Sequence, residues 1–294
     1  MQIKRLVSVL GIIVVMLTIA ARGSGGGHPN SITRATMTLR GSDWDTAFYQ
    51  LVNLTDTASR LSESGLRGFT QIQGLAFDVH NNTFYGTDSA GEHLIRIDPD
   101  TGVARAVGTL GFSNVRGLAF DPHTKTLYGA VSFPSQGELI TINPITGAGT
   151  AVGRLGFRSV EGLAFDARTR TLYGTDTRTG QLLLTIDTAT GAGTAVGAPG
   201  SLGFTNVAGL AFDPISNTLY GTSTSPYPGQ LITIDPDTGA GTAAGVLGFS
   251  QLRGLAFDAR TIRWRARTTI DPYMPTVVRP ADDSLVSIAG SAHQ

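Results

Sequence analysis

Five positions in this 294-residue chain could act as a set, because each immediately precedes one copy of the same pentapeptide. The pentapeptide is Gly-Leu-Ala-Phe-Asp, found at Gly74–Asp78, Gly117–Asp121, Gly162–Asp166, Gly209–Asp213 and Gly254–Asp258. The residues before it are Gln73, Arg116, Glu161, Ala208 and Arg253. If the copies are equivalent in space, two guanidiniums and one carboxylate share a ring of five positions. That chemistry suits a charged or polar ligand. Glu161 with Asn114, Asn206 and acidic neighbours would alternatively offer oxygens to a divalent ion such as calcium, which takes six to eight of them. Two arginines at equivalent positions of the ring argue against a cation there.

Other chemistry-bearing patterns read as turns. Asp98-Pro-Asp100 and Asp235-Pro-Asp237 resemble the start of a calcium loop, yet the second carboxylate is Ile145 and Ala189 in the other copies. The pentapeptide aspartates 78, 121, 166, 213 and 258 each open a turn and are expected to cap it. Gly147-Ala-Gly149 follows a hairpin turn and opens no helix, so it lacks the geometry that cradles a phosphate. The histidines (28, 80, 93, 123 and 293) occupy neither equivalent nor metal-ligand spacings. No Ser, His and Asp stand in a recognisable nucleophile context. No catalytic and no metal-ligating residue is therefore assigned, and no cofactor is expected, with calcium kept as the one alternative.

The elements that must position the five residues follow from the repeat. Pentapeptide starts lie 43, 45, 47 and 45 residues apart, a period that marks a repeat architecture. In the third copy, strand-like segments run over 160–165, 171–175, 181–186 and 193–196. Asp-Ala-Arg-Thr-Arg or Asp-Pro turns separate the first two, and Asp-Pro-Asp-Thr-Gly or Asn-Pro-Ile-Thr-Gly turns the last two. No segment carries a 3.6-residue apolar stripe, so helices should be few. Four short antiparallel strands per unit predict an all-β β-propeller of four-stranded blades.

Blade number turns on the two ends. Leu51–Gly74 aligns without a gap on Leu139–Gly162, and Thr38–Asp43 echoes Thr171–Asp176. The N-terminal stretch is thus expected to supply strands two, three and four of a worn blade. After Arg260 the pattern collapses, leaving residues 261–294 degenerate. Segment lengths from His28 of 46, 43, 45, 47, 45 and 41 favour six blades with worn ends. The alternative is five, with the last pentapeptide joined to the N-terminal strands.

Residues 1–27 stand apart from residues 28–294, which are expected to form a single propeller domain with clear repeats over 74–258. Lys4 and Arg5 precede the apolar run Leu6–Ala20, which is followed by small residues and a Gly-rich linker. This describes a signal peptide; a membrane role would require it to remain as an uncleaved anchor. Charged residues are 15%, cysteines zero and formal net charge zero, which disfavours nucleic acid as a partner and leaves no thiolate metal site. A secreted or periplasmic monomer is expected.

At Phe84–Asp88, Leu172–Asp176 and Leu219–Ser223 the chain carries Leu/Phe-Tyr-Gly-Thr-Asp/Ser strands. These resemble the strands of YWTD-type propellers, with Gly in place of Trp. The chain also looks like bacterial exported propellers with repeated Gly-Leu-Ala-Phe-Asp and Ile-Asp-Pro-x-Thr-Gly. The YWTD resemblance implies six blades and a ligand-binding, non-enzymatic role.

Comparison of the copies separates the two faces of such a disc. The first-to-second and third-to-fourth turns are near-identical and express turn physics. The opposite face varies: its loops include Phe133 and Tyr227, and its connections end in the five ring residues. Variable loops on a rigid scaffold are where binding groups concentrate. The expected ligand-binding set is Gln73, Arg116, Glu161, Arg253, Asn114, Asn206, Phe133 and Tyr227. The ligand would be a protein or carbohydrate. The alternative reading is a divalent-metal-dependent hydrolase, lactonase- or esterase-like, at the channel mouth.

Overall fold

The computed structural model describes residues 31–43, 50–53, 69, 71–88, 92–133, 137–225, 229–246, 252–265, 277–280 and 286–287. The expected signal peptide and linker, residues 1–27, lie outside them. The chain divides into two compact units, Thr38–Asp258 and Met1–Met37 with Ala259–Gln294.

The described elements are all strands. Strand β1 (Ser31–Asp43) pairs antiparallel with β2 (Gln50–Asn53), Ser42 facing Leu51 and Asp43 facing Gln50. Four complete blades follow among the described residues. The first comprises β3 (Ile72–Asp78), β4 (Thr83–Asp88), β5 (His93–Ile97) and β6 (Ala104–Thr109). The second comprises β7 (Val115–Asp121), β8 (Thr126–Val131), β9 (Glu138–Ile142) and β10 (Gly149–Arg154). The third holds β11 (Val160–Asp166), β12 (Thr171–Asp176), β13 (Leu182–Ile186) and β14 (Gly193–Val196). The fourth holds β15 (Thr205–Asp213), β16 (Thr218–Ser225), β17 (Gln230–Ile234) and β18 (Gly241–Val246). The last pentapeptide lies in β19 (Leu252–Arg265). In the C-terminal unit, Trp264 and Arg265 of β19 pair with β20 (Val277–Pro280), which pairs with β21 (Val286–Ser287). No sixth blade appears among the described residues.

The worn N-terminal copy keeps the register of the clear ones. Asp43 faces Gln50 and Ser42 faces Leu51, as Val131 faces Glu138 and Ala130 faces Leu139 in the second blade. The fourth strand expected there falls outside the described residues.

Packing explains the near-continuous apolar strands. The inner three strands of the first three blades are mostly buried, because neighbouring blades cover both faces, whereas β17 of the fourth blade is largely half-buried. The fourth strands are mostly exposed, and their sequences are accordingly small and polar. Each pentapeptide alanine sits in the core of the following blade. Ala76 packs with Leu118 and Ile140, Ala119 with Leu163 and Leu184, and Ala164 with Leu210 and Ile232. Ala211 packs with Leu252 and Leu255 of β19. Ala256 in turn packs with Ile72, Leu75, Phe84 and Ile95 of the first blade. Each large aliphatic buried this way stabilises the fold by about 1.5–3 kcal/mol relative to exposure.

One face of the disc is made of the repeated turns. Asp78, Asp121, Asp166 and Asp213 each accept from the backbone N–H two residues on, which is the capping role expected of them. In the third-to-fourth turns, Asp187 accepts from Ala189 and Thr190, while Asn143 accepts from Ile145 and Thr146. Gly147 and Gly191 close these turns at φ 81° and 80°, in the left-handed region.

The backbone donors hold the Asp187 carboxyl below the usual carboxylate range. A lowered folded pKa contributes stability that is present above the ordinary value near 4 and lost as pH falls through the folded one. Asp187→Asn should therefore keep the turn, as Asn143 does, and flatten the acid limb of stability. Urea melts at pH 7 and pH 2.5 test this. A variant with unaltered acid sensitivity would show that the turn carboxylate takes no part.

Candidate functional site

Four of the ring residues owe their direction to an irregularity repeated in the inner strands of the four complete blades. In β7, β11 and β15 the pairing register shifts between Val115 and Gly117, Val160 and Gly162, and Val207 and Gly209. In β3 it shifts between Ile72 and Leu75. Arg116, Glu161 and Ala208 are therefore the bulged residues, and Gln73 falls in the corresponding shift. A bulge leaves one residue outside the ladder and re-aims its side chain.

Hydroxyls replace the lost ladder bonds. Thr175 Oγ1 accepts from the Gly162 N–H at 3.1 Å and donates to the Val207 carbonyl of the next blade at 2.8 Å. Thr222 repeats this between the Gly209 N–H and the Leu252 carbonyl, at 3.1 and 2.9 Å. Thr87 accepts from Gly74 at 3.0 Å. In the second blade Ala130 holds that position, and Ser132 donates to the Val160 carbonyl at 2.7 Å. The bulges are thus fastened blade to blade. Thr175→Val leaves both the Gly162 N–H and the Val207 carbonyl without this partner, for an expected loss of about 2–4 kcal/mol. Chemical denaturation measures it; a loss below about 0.5 kcal/mol, ordinary for a surface change, would refute the role.

Three of the expected residues meet. Arg116 Nη1 lies 2.6 Å from Glu161 Oε1, and Arg253 Nη1 lies 3.2 Å from Glu161 Oε2. One carboxylate is therefore clamped by guanidiniums from the second blade and from β19. Ser159 donates to Glu161 Oε1 at 3.4 Å and accepts from Thr177 at 3.1 Å, which ties the cluster to a neighbouring loop. The side chains of Arg116, Glu161 and Arg253 are 26%, 12% and 18% exposed, so the charged heads are partly withdrawn from water. Burial pushes the Arg253 guanidinium below its ordinary value; Glu161 opposes that shift and the Arg116 charge reinforces it. Ala208, at the equivalent position of the fourth blade, is buried at 3% exposed and adds no charge to the cluster.

The remaining expected residues are placed differently. Gln73 is buried at 5% exposed. Asn114 and Asn206 adopt φ of 55° and 51°, where Asn is tolerated better than most residues. Their carbonyls accept from the Ser132 N–H and the Thr224 hydroxyl, so they have a backbone role at the entry to β7 and β15. Phe133, also at positive φ (50°), joins the second blade to the third: its N–H donates to the Arg158 carbonyl, and Arg178 lies 4.7 Å above its ring. Tyr227 lies outside the described residues.

Several contributors are illegible without the fold. Arg178 occupies a single-copy loop position and Ser159 stands where other copies have Asn114 and Asn206, and only spatial proximity gives the two their roles. Asp176 shapes the loop that carries Arg178, accepting from Thr179 and Gly180 at 2.7 and 3.0 Å. Exposed Arg154 and Arg158 lie on this same loop face. Among the described residues, no three His, Cys, Asp or Glu side chains gather as a metal set. Among them too, no helix is long and apolar enough to cross a membrane.

A scan of protein-family models finds no match to the chain. A search of curated proteins finds no matching sequence. Solved structures do resemble it. A chain of a nidogen/laminin complex superposes with a TM-score of 0.53 at 17% identity, covering 75% of this chain and 84% of that one. A gluconolactonase from Xanthomonas campestris gives 0.49 at 16% identity, covering 84% of each chain. TolB from Acinetobacter baumannii gives 0.48 at 11%, covering 86% of this chain and 61% of TolB. Identities this low speak to fold alone. Topology and the nidogen likeness together show an all-β propeller built of four-stranded blades.

Proposed function

We propose that this protein is an exported, non-enzymatic β-propeller of YWTD-like type, binding a protein or glycan ligand through its variable loop face. The observation that carries the reading is the Arg116–Glu161–Arg253 cluster, assembled from three inner strands at that face. The opposite face repeats one turn device copy after copy, whereas the loop face concentrates the residues that differ. The nidogen chain is itself seen in complex with laminin, which is in keeping with a protein ligand. In this reading residues 1–27 export a monomer to the periplasm or beyond, and no cofactor takes part.

The same reading closes the ring on five inner strands, the alternative drawn from sequence. It is supported by the chain of alanine contacts, in which Ala211 reaches β19 and Ala256 reaches the first blade.

A metal-dependent hydrolase would need Glu161 as a cation ligand, and two guanidiniums hold that carboxylate instead. Millimolar calcium is accordingly expected to leave the melting temperature unchanged. A rise of several degrees would favour the hydrolase, because a ligand of the native state alone stabilises it.

Peptide and glycan arrays probed with the full chain test the binding function. Hits should fall at least tenfold with a Phe133→Ala, Arg178→Ala double substitution, the scale of about 1.4 kcal/mol. They should survive Ile145→Ala on the turn face. The opposite pattern would sink the assignment of the loop face.

A further inference from the structure

We infer that Asp176 holds a monovalent alkali cation, sodium or potassium, at the base of the loop joining β12 to β13. This goes beyond the binding function proposed above and does not depend on it. Asp176 is 0% exposed, and its two carboxylate oxygens have unequal surroundings. Oδ2 accepts from the Thr179 and Gly180 N–H groups at 2.7 and 3.0 Å. Oδ1 is buried and has no hydrogen-bond partner among the described residues. None of the ion pairs among those residues involves Asp176. A buried carboxylate oxygen is costly unless something positive meets it, and buried charges are ordinarily paired or bound to a metal.

The fourth blade reveals what this position faces. Ser223 is the equivalent of Asp176, pairing with Val207 as Asp176 pairs with Val160. It is buried at 1% exposed, and its hydroxyl donates to the Thr205 and Ser225 carbonyls at 2.8 and 2.7 Å. The matching residues of the third copy are Arg158 and Arg178. Serine brings a proton to two carbonyls, whereas the aspartate carboxylate brings another acceptor. The repeat thus sets Oδ1 beside two carbonyl oxygens with no hydrogen to offer either. A water molecule carries two protons and answers two of the three oxygens; a cation answers all three. The Arg158 carbonyl accepts from the Phe133 N–H at 3.3 Å and keeps a second lone pair for the ion.

The acid count selects the charge of the ion. Calcium takes six to eight oxygens and is held by several carboxylates, and among the described residues no three acids gather. One carboxylate among neutral oxygens matches one positive charge. An ion bound to the Arg178 carbonyl also steadies the loop whose guanidinium lies over Phe133.

The test is thermal unfolding of the full chain in sodium, potassium and choline chloride at equal ionic strength. The parent should melt several degrees higher in at least one alkali salt than in choline, because an ion bound only to the native state stabilises it. Asp176→Asn keeps an oxygen for Thr179 and Gly180 and offers the carbonyls an amide N–H. It should melt at one temperature in all three salts, no lower than the parent in choline. Asp176→Ser, which copies the fourth blade, takes its place if the asparagine variant does not fold.

One melting temperature for the parent in all three salts overturns the inference and leaves the oxygen to water. An alkali-dependent rise that persists in the variant puts the ion elsewhere and overturns it as well. A rise with millimolar calcium that is lost in the variant overturns the monovalent assignment. A calcium effect that persists in the variant belongs to Glu161 and counts against the binding function instead, so the two readings fail separately.

Discussion

Gly209→Val is expected to cost about 4 kcal/mol or more, enough to threaten a fold whose total stability is of the order of 5–15 kcal/mol. A Cβ at Gly209 would stand 2.5 Å from Thr222 Oγ1, 3.0 Å from the Arg253 carbonyl and 3.0 Å from Leu255 Cβ. None of these atoms is the free end of a flexible side chain. Thr222 Oγ1 is itself the bridge between the Gly209 N–H and the Leu252 carbonyl, so the clash also breaks two hydrogen bonds. Relief by separating β15 from β19 would move Arg253 away from Glu161. Stability and the ion cluster should therefore fail together.

Gly245 supplies the control. A Cβ there meets nothing within 4 Å, so Gly245→Val should stay within about 0.5 kcal/mol of the parent. Urea unfolding followed by far-ultraviolet circular dichroism compares the two. Equal midpoints would show that the pentapeptide glycine does not answer to close approach of the next blade.

Ala256→Glu is the second large effect, and it bears on the proposed closure. Ala256 is 6% exposed and packs among Ile72, Leu75, Phe84, Ile95 and Ile97. A carboxylate buried there without a partner should cost about 3–5 kcal/mol. Ala119→Glu places the same charge in the third blade's core, between blades whose contact follows directly in the chain. Similar losses in the two variants would support a ring closed on five strands. Loss at Ala119 with tolerance at Ala256 would leave the first blade uncovered and the ring open.

Much of the blade is legible in the chain because its causes are local. Aspartate caps a turn through its own neighbouring N–H groups, and glycine closes a hairpin at positive φ, so each copy announces the same turns. The period then announces a repeat architecture. The third copy illustrates the accuracy: segments expected over 160–165, 171–175, 181–186 and 193–196 appear as Val160–Asp166, Thr171–Asp176, Leu182–Ile186 and Gly193–Val196. Even the worn copy at the N-terminus keeps the pairing of Ser42 with Leu51 that its alignment implied.

The site divides along the same line. That Gln73, Arg116, Glu161, Ala208 and Arg253 occupy equivalent positions follows from the repeat alone. Sequence does not reveal that the first four of these positions fall at register shifts, because a bulge is defined by the partner strand it fails to match. Nor does it reveal that Glu161 joins Arg253 from 92 residues away, a pairing created by the curvature of stacked blades. Asn114 and Asn206, expected among the ligand groups, also hold a left-handed backbone, a role that the repeat does not announce. By itself, then, the sequence determined strand, turn and period, since these depend on contacts within a few tens of residues. The tertiary structure alone decided which charges meet, since that depends on how each blade's twist sets the direction of the next.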